Sequence, residues 1–241
     1  MLTKRLIVLP TYNEAKNISS LIPRLFKHIP DISILVVDDG SPDGTANIAE
    51  SLKNQFPNLE IINQEKKGGL GAAYRTGFQW GLANGFTQII EMDADLSHRV
   101  RDLTKLIKVI EESKADLVIG SRWISGGEIE NWSRSREWLS RFANRYVRTM
   151  LDLQVNDATS GFRIYDGALL KKIDFSATRS GGYTFQIEMT RAARKQGAKI
   201  VEVPITFRER ENGSSKMSKS IVFEAIFLVT IWGLKRFLRL K

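Results

Sequence analysis

Five short apolar runs, separated by segments of helix length, constrain the fold more than any other feature of the sequence. The runs occupy residues 5–9, 32–37, 59–63, 87–92 and 116–119, and their continuous apolar character is typical of strands buried on both faces. Such a βαβ alternation produces a mostly parallel sheet with helices on both sides. The length of 241 residues fits one large α/β domain better than two small ones. Because ligands of these sheets bind at the carboxyl ends of the strands, the residues that follow each run are the functional candidates.

Acidic and hydroxyl side chains cluster directly after three of these runs. One cluster is residues 11–14 (Thr-Tyr-Asn-Glu), the second is residues 38–41 (Asp-Asp-Gly-Ser) and the third is residues 93–95 (Asp-Ala-Asp). Any one of them could serve as a helix cap or a turn, a role that suits Pro42 and Asp43. Three acidic clusters that converge on one edge of a sheet favour a functional site instead.

The composition excludes several kinds of chemistry and indicates an anionic partner. With no cysteine, the chain contains no disulfide, no thiolate nucleophile and no thiolate zinc site. The net charge of +9 and the isoelectric point near 9.7 suit nucleic acid, acidic lipid headgroups or phosphorylated substrates. We predict no nucleic-acid partner, because no known nucleic-acid-binding motif is present and the acidic clusters would repel a phosphate backbone. A non-catalytic membrane adaptor would have no need of Asp93 and Asp95.

Asp93 and Asp95 are candidate metal ligands. They lie two residues apart at a strand end, so in extended geometry both carboxylates would point to the same side of the chain. Two carboxylates suit a hard cation, Mg²⁺ or Mn²⁺, that also binds a diphosphate. Such an ion would neutralise the charge on a departing nucleoside diphosphate. An Asp-x-Asp pair is a weak signal by itself, since it is common in loops.

Eight motifs follow one another along the chain, and one of them contains Asp93 and Asp95. They are PTYNE (residues 10–14), VVDDGSPDGT (36–45), KKGGLGAAYRTGF (66–78), MDADLSH (92–98), GSRW (120–123), ATSGFRIY (158–165), GYTFQIEM (182–189) and EVPITFRERENGSSKM (202–217). The set resembles the inverting family-2 glycosyltransferases. Within that family, MDADLSH and the R-x-x-G-x-S-K pattern at residues 210–216 resemble the dolichyl-phosphate (polyprenyl-phosphate) mannose synthases. The resemblance covers residues 4 to about 217.

The resemblance implies a fold and an activity. The implied fold is a single Rossmann-like, nucleotide-sugar-binding domain of the GT-A type over residues 1–217, followed by a basic, amphipathic, membrane-associating tail at residues 218–241. The implied reaction transfers mannose from GDP-mannose to a dolichyl or polyprenyl monophosphate, with inversion at the anomeric carbon and with Mg²⁺ or Mn²⁺ as the cofactor. Transfer of glucose or another sugar stays open, because the sequence does not locate the side chains that select the sugar, although MDADLSH favours mannose.

The resemblance also implies roles for individual residues. Those implied to bind the nucleotide are Pro10, Tyr12, Glu14, Val37 and Asp39. Those implied to lie at the metal, the diphosphate and the sugar are Asp93, Ala94 and Asp95. Three cations are implied to hold phosphates and to form the catalytic group with the two aspartates: Arg122, Arg210 and Lys216. This assignment makes chemical sense, because arginine offers a planar fork to phosphate oxygens and lysine a compact charge.

Four further residues are interpreted as structural. The spacing of Gly68, Gly69 and Gly71 matches neither standard phosphate-binding pattern, so we expect these glycines to allow close packing. A lone histidine beside a helix start is more often a hydrogen-bonded structural residue than a general base, and His98 is therefore not assigned to catalysis. A strong base is unnecessary in the implied reaction, because a lipid monophosphate is largely ionised near neutral pH and supplies its own oxygen nucleophile.

Two segments suggest contact with a membrane. The apolar run at residues 221–234 is 14 residues long, whereas spanning a bilayer takes ~20, and basic residues flank it. A helix in the interface of an anionic membrane and a core-packing helix with a basic end both fit this run. The helix expected at residues 134–150 carries four arginines on one face, which alone would be an ordinary solvated face: Arg134, Arg141, Arg145 and Arg148.

We expect the chain to lie peripherally on the cytoplasmic face of a membrane. The apolar run near its start, residues 6–9, is too short for a secretory signal. The sequence leaves open whether a membrane-anchoring subunit assists.

Lys216→Ala should slow sugar transfer by about tenfold or more and leave the fold intact, because a charge-assisted contact to a phosphate is lost. Steady-state transfer from GDP-mannose to a polyprenyl phosphate, with circular dichroism on the same sample, measures this effect. Kinetics that match those of the wild type would show that the assignment of Lys216 is wrong.

Overall fold

The computed structural model describes residues 3–178, 180–210 and 219–238, over which helices and strands alternate. The strands are β1 (Arg5–Thr11), β2 (Ser33–Asp38), β3 (Leu59–Asn63), β4 (Gln88–Glu91), β5 (Leu117–Ser121), β6 (Glu128–Glu130), β7 (Arg163–Asp166), β8 (Ile200–Pro204) and β9 (Thr206–Arg208). The helices are α1 (Ala15–His28), α2 (Thr45–Leu52), α3 (Leu70–Ala83), α4 (Val100–Ser113), α5 (Arg134–Leu151), α6 (Gly167–Lys172), α7 (Gly182–Lys195) and α8 (Lys219–Phe237), with a 3₁₀ turn at Phe175–Ala177. The five strands expected from the apolar runs are all present.

Seven strands form one sheet in the order β3-β2-β1-β4-β7-β5-β8. Every pairing in it is parallel except those of β7, which runs antiparallel to both β4 and β5. The mostly parallel α/β fold is therefore confirmed. One detail is wrong: β3 is not buried on both faces, because it is an edge strand and four of its five residues are half-buried or exposed. Strands β6 and β9 form a separate parallel pair.

The sheet separates two apolar cores. Along β1, Leu6 and Val8 belong to one core, while Ile7 and Leu9 belong to the other, as the alternation of side chains along a strand requires. Helices α3, α5, α6, α7 and α8 contribute to the first core, and α1, α2 and α4 contribute to the second. Burial on both faces explains why these strands read as continuous apolar runs in the sequence.

Helix α3 lies unusually close to the sheet because two of its glycines face it. A Cβ atom added at Gly77 would lie 2.4 Å from Cγ1 of Val8, and one added at Gly81 would lie 2.8 Å from Cδ1 of Ile89. Both distances are shorter than real carbon contacts allow. The absence of side chains at these positions therefore sets how far α3 stands from β1 and β4.

Helix α8 packs along α5 and α7 with one face and exposes the other. Val229 is 1% exposed and belongs to the first core, a Cβ added at Gly233 would meet Met150, and a hydrogen bond of 2.6 Å joins Tyr146 Oη and Thr230 Oγ1. The helix has 19 residues, five more than the apolar run that predicts it. Within the described residues, no helix has the length and apolar character needed to cross a bilayer.

Gly77→Ala should lower the free energy of unfolding by about 1–3 kcal/mol, because the new methyl group overlaps Val8 and forces α3 away from β1. Thermal or urea unfolding measures the loss. Gly181→Ala is the matched control, since a Cβ there has open space and ordinary φ of −108°, and its effect should stay within about 0.5 kcal/mol. Equal stability of the two variants would contradict the close approach.

Candidate active site

The polar loops meet because of the order of the strands. β1 lies between β2 and β4 in the sheet. Strands β2 and β3 are added on one side of β1, and the next strand along the chain, β4, is added on its other side. Crevices at such a switch point, outside the carboxyl ends of the strands, are the usual ligand sites of open α/β sheets. Thr11 at the end of β1 pairs with Asp38 at the end of β2, which brings the first two clusters together.

Asp38 fixes the loop after β2. Its side chain is fully buried and accepts hydrogen bonds from Thr11 Oγ1 at 2.7 Å, from the Ser41 amide at 2.8 Å and from Ser41 Oγ at 2.6 Å. Ser41 Oγ in turn accepts the amide of Asn13 at 3.0 Å. These bonds use the carboxylate of Asp38 to hold the loop.

Asp39 is held by the glycine loop that precedes α3. Its two carboxylate oxygens accept the amides of Gly68 at 2.7 Å and of Gly69 at 2.8 Å. Gly69 has φ of +80°, and a Cβ added at Gly71 would lie 2.6 Å from the carbonyl oxygen of Ser180. The expectation of close packing is therefore confirmed for Gly71, and for Gly68, where an added Cβ would lie 2.8 Å from Cβ of Ala72. At Gly69 a Cβ would meet nothing, and the positive φ is what favours glycine there. The glycine loop also orients a carboxylate implied to bind the nucleotide.

The other residues implied to bind the nucleotide lie at the same edge but expose different groups. Pro10 and Tyr12 are half-buried, and Nζ of Lys67 lies 3.7 Å above the centre of the Tyr12 ring. Glu14 is buried and accepts a hydrogen bond of 2.6 Å from Asn17 Nδ2. The side chain of Val37 is fully buried in the first core, so it can offer a ligand only its backbone.

Asp93 and Asp95 lie in the loop after β4, in a geometry other than the one expected. The strand ends at Glu91, and the loop bends through Leu96, whose φ is +65°. Residues 94–96 form a bend, so the backbone that joins Asp93 to Asp95 is not the extended strand that was expected. Ala94 between them is 3% exposed and packs into the second core, so its backbone is the part that can reach a ligand.

The two carboxylates nevertheless remain electrostatically close. Burial, and next to it repulsion by Asp95, raise the pKa of Asp93 to about 7. Asp95 is 7% exposed, accepts the amide of Ser97 at 3.1 Å and lies 3.1 Å from Nη2 of Arg210. A pair of oxygen ligands whose charges repel suits a divalent cation, since the cation would favour ionisation of both.

Asp93 and Asp95 fit a metal ion that takes only one or two ligands from the protein. Among the described residues, no group of three or more His, Asp and Glu side chains is arranged to hold a metal. Mg²⁺ typically binds through one or two carboxylates and takes its remaining ligands from water and substrate phosphates. A pair of aspartates beside a diphosphate site matches that coordination.

His98 supports the loop that carries Asp93 and Asp95, and its contacts are those of a structural residue. Its ring is buried, stacks on Phe162 with centroids 4.6 Å apart, and its Nδ1 accepts the amide of Asp93 at 3.2 Å. Burial lowers the pKa of His98 to about 4, so the ring is neutral near neutral pH. The structural interpretation of this residue agrees with its contacts.

Arg122, at the end of β5, makes an ion pair that the sequence did not reveal. Its Nε and Nη2 donate to the two carboxylate oxygens of Asp157, both at 2.7 Å, and its amide donates to the same carboxylate at 3.0 Å. Glu202 on β8 accepts the amide of Asp157 at 2.9 Å and fixes that segment. Nη1 of Arg122 makes no hydrogen bond within the described residues. The guanidinium also lies 5.3–5.6 Å from the ring centres of Trp123, Trp132 and Phe207.

Arg122 lies at the same edge of the sheet as the carboxylate pair. It follows the carboxyl end of β5, which runs in the same direction as β4 because both strands are antiparallel to β7. Tyr183 is the second residue of α7 and belongs to the GYTFQIEM motif; burial raises its pKa, and the charges of Arg122 and Arg210 oppose that shift. Sequence reasoning left Tyr183 without a role. Lys216, the third implied phosphate ligand, lies outside the described residues.

A buried cation, Arg163, lies at the start of the antiparallel strand β7. It is fully buried, and its guanidinium donates to the carbonyl oxygens of Ser160, Ala158 and Gln186 at 2.6–3.0 Å. Burial raises the pKa of the neighbouring Glu91 to about 8, although the attraction of Arg163 opposes that shift. Arg163 thus connects β7 to the segment 158–160, which follows Asp157, and to α7.

Asp157→Asn should lower the free energy of unfolding by about 3–5 kcal/mol, because it leaves the buried guanidinium of Arg122 without a counter-charge. Burial would raise the pKa of Asp157, but the charge and hydrogen bonds of Arg122 outweigh it and hold the pKa below its ordinary value. The contribution of the pair is therefore present above about pH 4 and is lost as the pH falls through the folded-state pKa. Urea unfolding across the acid range measures both effects.

The matched control is Asp152→Asn, since Asp152 is 59% exposed and its ion pairs with Arg194 and Arg236 are at the surface. That change should cost about 1 kcal/mol or less. Equal losses in the two variants would contradict a structural role for the buried pair.

Comparison with known proteins identifies the family of the chain. Residues 6–174 match Glycosyl transferase family 2. The polyprenol monophosphomannose synthase of Mycolicibacterium smegmatis is 46% identical over 233 residues, which are 96% of this chain and 88% of that protein. The undecaprenyl-phosphate mannosyltransferase of Micrococcus luteus is 45% identical over 229 residues, which are 95% of this chain and 93% of that protein.

A solved structure shares the fold at much lower sequence identity. It is the glucosyl-3-phosphoglycerate synthase from Mycobacterium tuberculosis in complex with Mn²⁺ and UDP-glucose, with a TM-score of 0.69, 18% identity, and coverage of 97% of this chain and 79% of that one. The same synthase has been solved with Mg²⁺ and UDP. From the family match, the two relatives and the site built above, the chain belongs to glycosyltransferase family 2 and is a glycosyltransferase.

Proposed function

We propose that the protein transfers mannose from GDP-mannose to a dolichyl or polyprenyl monophosphate, with inversion at the anomeric carbon. The observation that carries the proposal is that Asp93, Asp95 and Arg122 follow strands whose carboxyl ends share one edge of the sheet, with Arg210 3.1 Å from Asp95. Two relatives support it: one, 46% identical, is named a polyprenol monophosphomannose synthase, and the other, 45% identical, an undecaprenyl-phosphate mannosyltransferase. Both match along almost the whole chain.

The donor would lie on the carboxylate side of the site. Asp39, oriented by the amides of Gly68 and Gly69, and the half-buried ring of Tyr12 would bind the nucleoside. Asp93 and Asp95 would hold Mg²⁺ or Mn²⁺, which when bound supplies positive charge to the diphosphate as it leaves. His98 keeps the backbone of this loop in place through the amide of Asp93.

The acceptor would lie on the cationic side. An ionised phosphate oxygen of the lipid attacks the anomeric carbon and forms the new bond, while the bond from that carbon to the diphosphate breaks and GDP leaves with the electron pair. The nucleophile carries no proton to remove, so the neutral His98 is not needed as a base. Arg122 and Arg210 offset the charge of two anionic substrates and help to orient them, which is the main contribution that such a reaction requires.

The proposal includes a peripheral position on the cytoplasmic face of a membrane, where the acceptor lipid would be found. It is supported by the net charge of +9 and by the exposed apolar face of α8, on which Phe223 and Phe227 are 70% and 65% exposed. The same face would suit a membrane-anchoring subunit, and residues 218–241 are the part of the chain to which we assign membrane association.

Asp95→Asn should reduce sugar transfer at least a hundredfold, on the order of the loss seen when one group that stabilises developing charge is removed. It should also weaken the binding of GDP-mannose in the presence of Mg²⁺ or Mn²⁺ and leave the metal-free affinity almost unchanged. Transfer kinetics and calorimetric titration of the nucleotide sugar measure the two effects. Full activity in excess EDTA would contradict the metal role of this pair.

A carboxylate on the far side of the molecule provides the control. Asp31 is exposed in the turn before β2, so Asp31→Asn should leave both transfer and metal-dependent binding at wild-type values. A comparable loss in this variant would mean that Asp95→Asn acts through the net charge of the protein and not through a metal site.

A further inference from the structure

The large hydrophobic side chains that are exposed in the described part of the chain lie on two helices, α5 and α8, or directly after α8. On α5 they are Trp138, Leu139 and Phe142; on α8 they are Phe223, Ile226, Phe227, Leu234 and Phe237, and Leu238 follows the helix. The α8 residues recur at intervals of three and four, so they form one stripe along the helix. Apolar surface concentrated in this way marks a contact with another apolar phase.

The exposed residues of the two helices form a continuous face. Tyr146 of α5 contacts Thr230 of α8, and Gly233 of α8 lies against Met150 of α5, so the two helices run side by side in the same direction. Phe223, Ile226 and Phe227 precede Thr230 by about one to two turns, just as Trp138, Leu139 and Phe142 precede Tyr146. The two apolar sets therefore lie at the same level along the pair.

A cationic cavity opens next to this face. It has a volume of about 390 Å³, and its walls include Trp123, Arg141, Arg145, Arg148, Thr149 and Asn156. On the helix, the three arginines occupy the arc adjacent to Trp138 and Phe142, because positions 138, 141, 142 and 145 fall on neighbouring rows. The cavity and the apolar face thus share one side of α5.

Two of the arginines are positioned by neighbours, and the third is available. The guanidinium of Arg141 lies 4.4 Å from the centre of the Trp123 ring and bonds Glu137, while Nη1 of Arg148 donates to Asn156 Oδ1 at 2.8 Å. Arg145, which lies between them on the helix and is exposed, makes no hydrogen bond or ion pair with any residue that the structure describes. Three guanidinium groups around one cavity, with no carboxylate in its walls, suit a phosphate group.

We propose that this cavity binds the phosphate of an anionic phospholipid headgroup, at a site separate from sugar transfer, while the apolar face of α5 and α8 lies against the acyl chains. The pairing of cations with exposed aromatic and aliphatic side chains favours a bilayer, since a nucleic acid would leave the apolar stripe in water and a soluble phosphate would leave it uncovered. The inference rests on the proposed function only in supposing that the protein works at a bilayer.

The test is flotation of the full chain with vesicles of neutral phosphatidylcholine, with and without phosphatidylglycerol. Arg145→Gln and Arg148→Gln should each weaken binding to the anionic vesicles by at least about tenfold, because a charge-assisted hydrogen bond is lost together with the charge. Binding to neutral vesicles should be unchanged in both. Phe142→Ala should weaken binding to both kinds of vesicle, because it removes apolar contact.

Two arginines outside the cavity serve as matched controls. Arg134→Gln removes the same charge from the same helix and should cost about fivefold or less, the effect of one basic residue near an anionic surface. Arg101→Gln lies on α4, which packs on the opposite face of the sheet, and should have no effect. If Arg134→Gln matches Arg145→Gln, the attraction is diffuse and the cavity is not a site.

Further measurements separate the sources of phosphate and the two proposals. Inorganic phosphate should not displace the protein from anionic vesicles any more than chloride of the same ionic strength does; displacement would make free phosphate the occupant and overturn the lipid assignment. Arg145→Gln should retain wild-type transfer to a short, water-soluble polyprenyl phosphate, and loss of that transfer would place Arg145 in the catalytic site instead. A wild-type protein that transfers no sugar but shows the vesicle effects would refute the proposed function and leave this inference standing.

Discussion

The parallel pairing of β1 with β2 on one side and with β4 on the other is the constraint on which the rest of the site depends. It brings the loops after three strands to one edge, and Thr11 opposite Asp38 holds two of them in register. A loop supported by a parallel sheet needs few contacts of its own to be positioned. The hydrogen bonds of Asp38 to Ser41 and of Asp39 to the glycine loop provide these contacts.

Opposite charges are arranged in the site so that neither kind is isolated. The repulsion between Asp93 and Asp95 is partly relieved by Arg210, and the buried Arg122 is compensated by Asp157. On the proposed function, a metal bound by the two aspartates and Nη1 of Arg122, which bonds no described residue, would accept two anionic substrates. The net charge of +9 would attract anionic partners, while the acidic pair would take a cation with its diphosphate.

The sequence predicts the parts of this structure that depend on local pattern. Apolar runs predict β1, β2, β4 and β5, since these strands are buried on both faces, and the arginine spacing predicts α5. Strand β7 escapes detection because it begins with Arg163, whose burial depends on carbonyl oxygens that fold around it. The pairing of Arg122 with Asp157 and the bend after Asp93 depend on tertiary contacts, so motif spacing locates the residues but not their geometry.

The most direct test of the central claim is a competition between donors. The purified protein would be incubated with a short polyprenyl phosphate, Mg²⁺ or Mn²⁺, and equal amounts of GDP-mannose labelled with heavy carbon and unlabelled UDP-glucose, and the glycolipid would be identified by mass. The account predicts that every product molecule contains one hexose and that this hexose carries the heavy label. An unlabelled product, or no glycolipid from either donor, would contradict it.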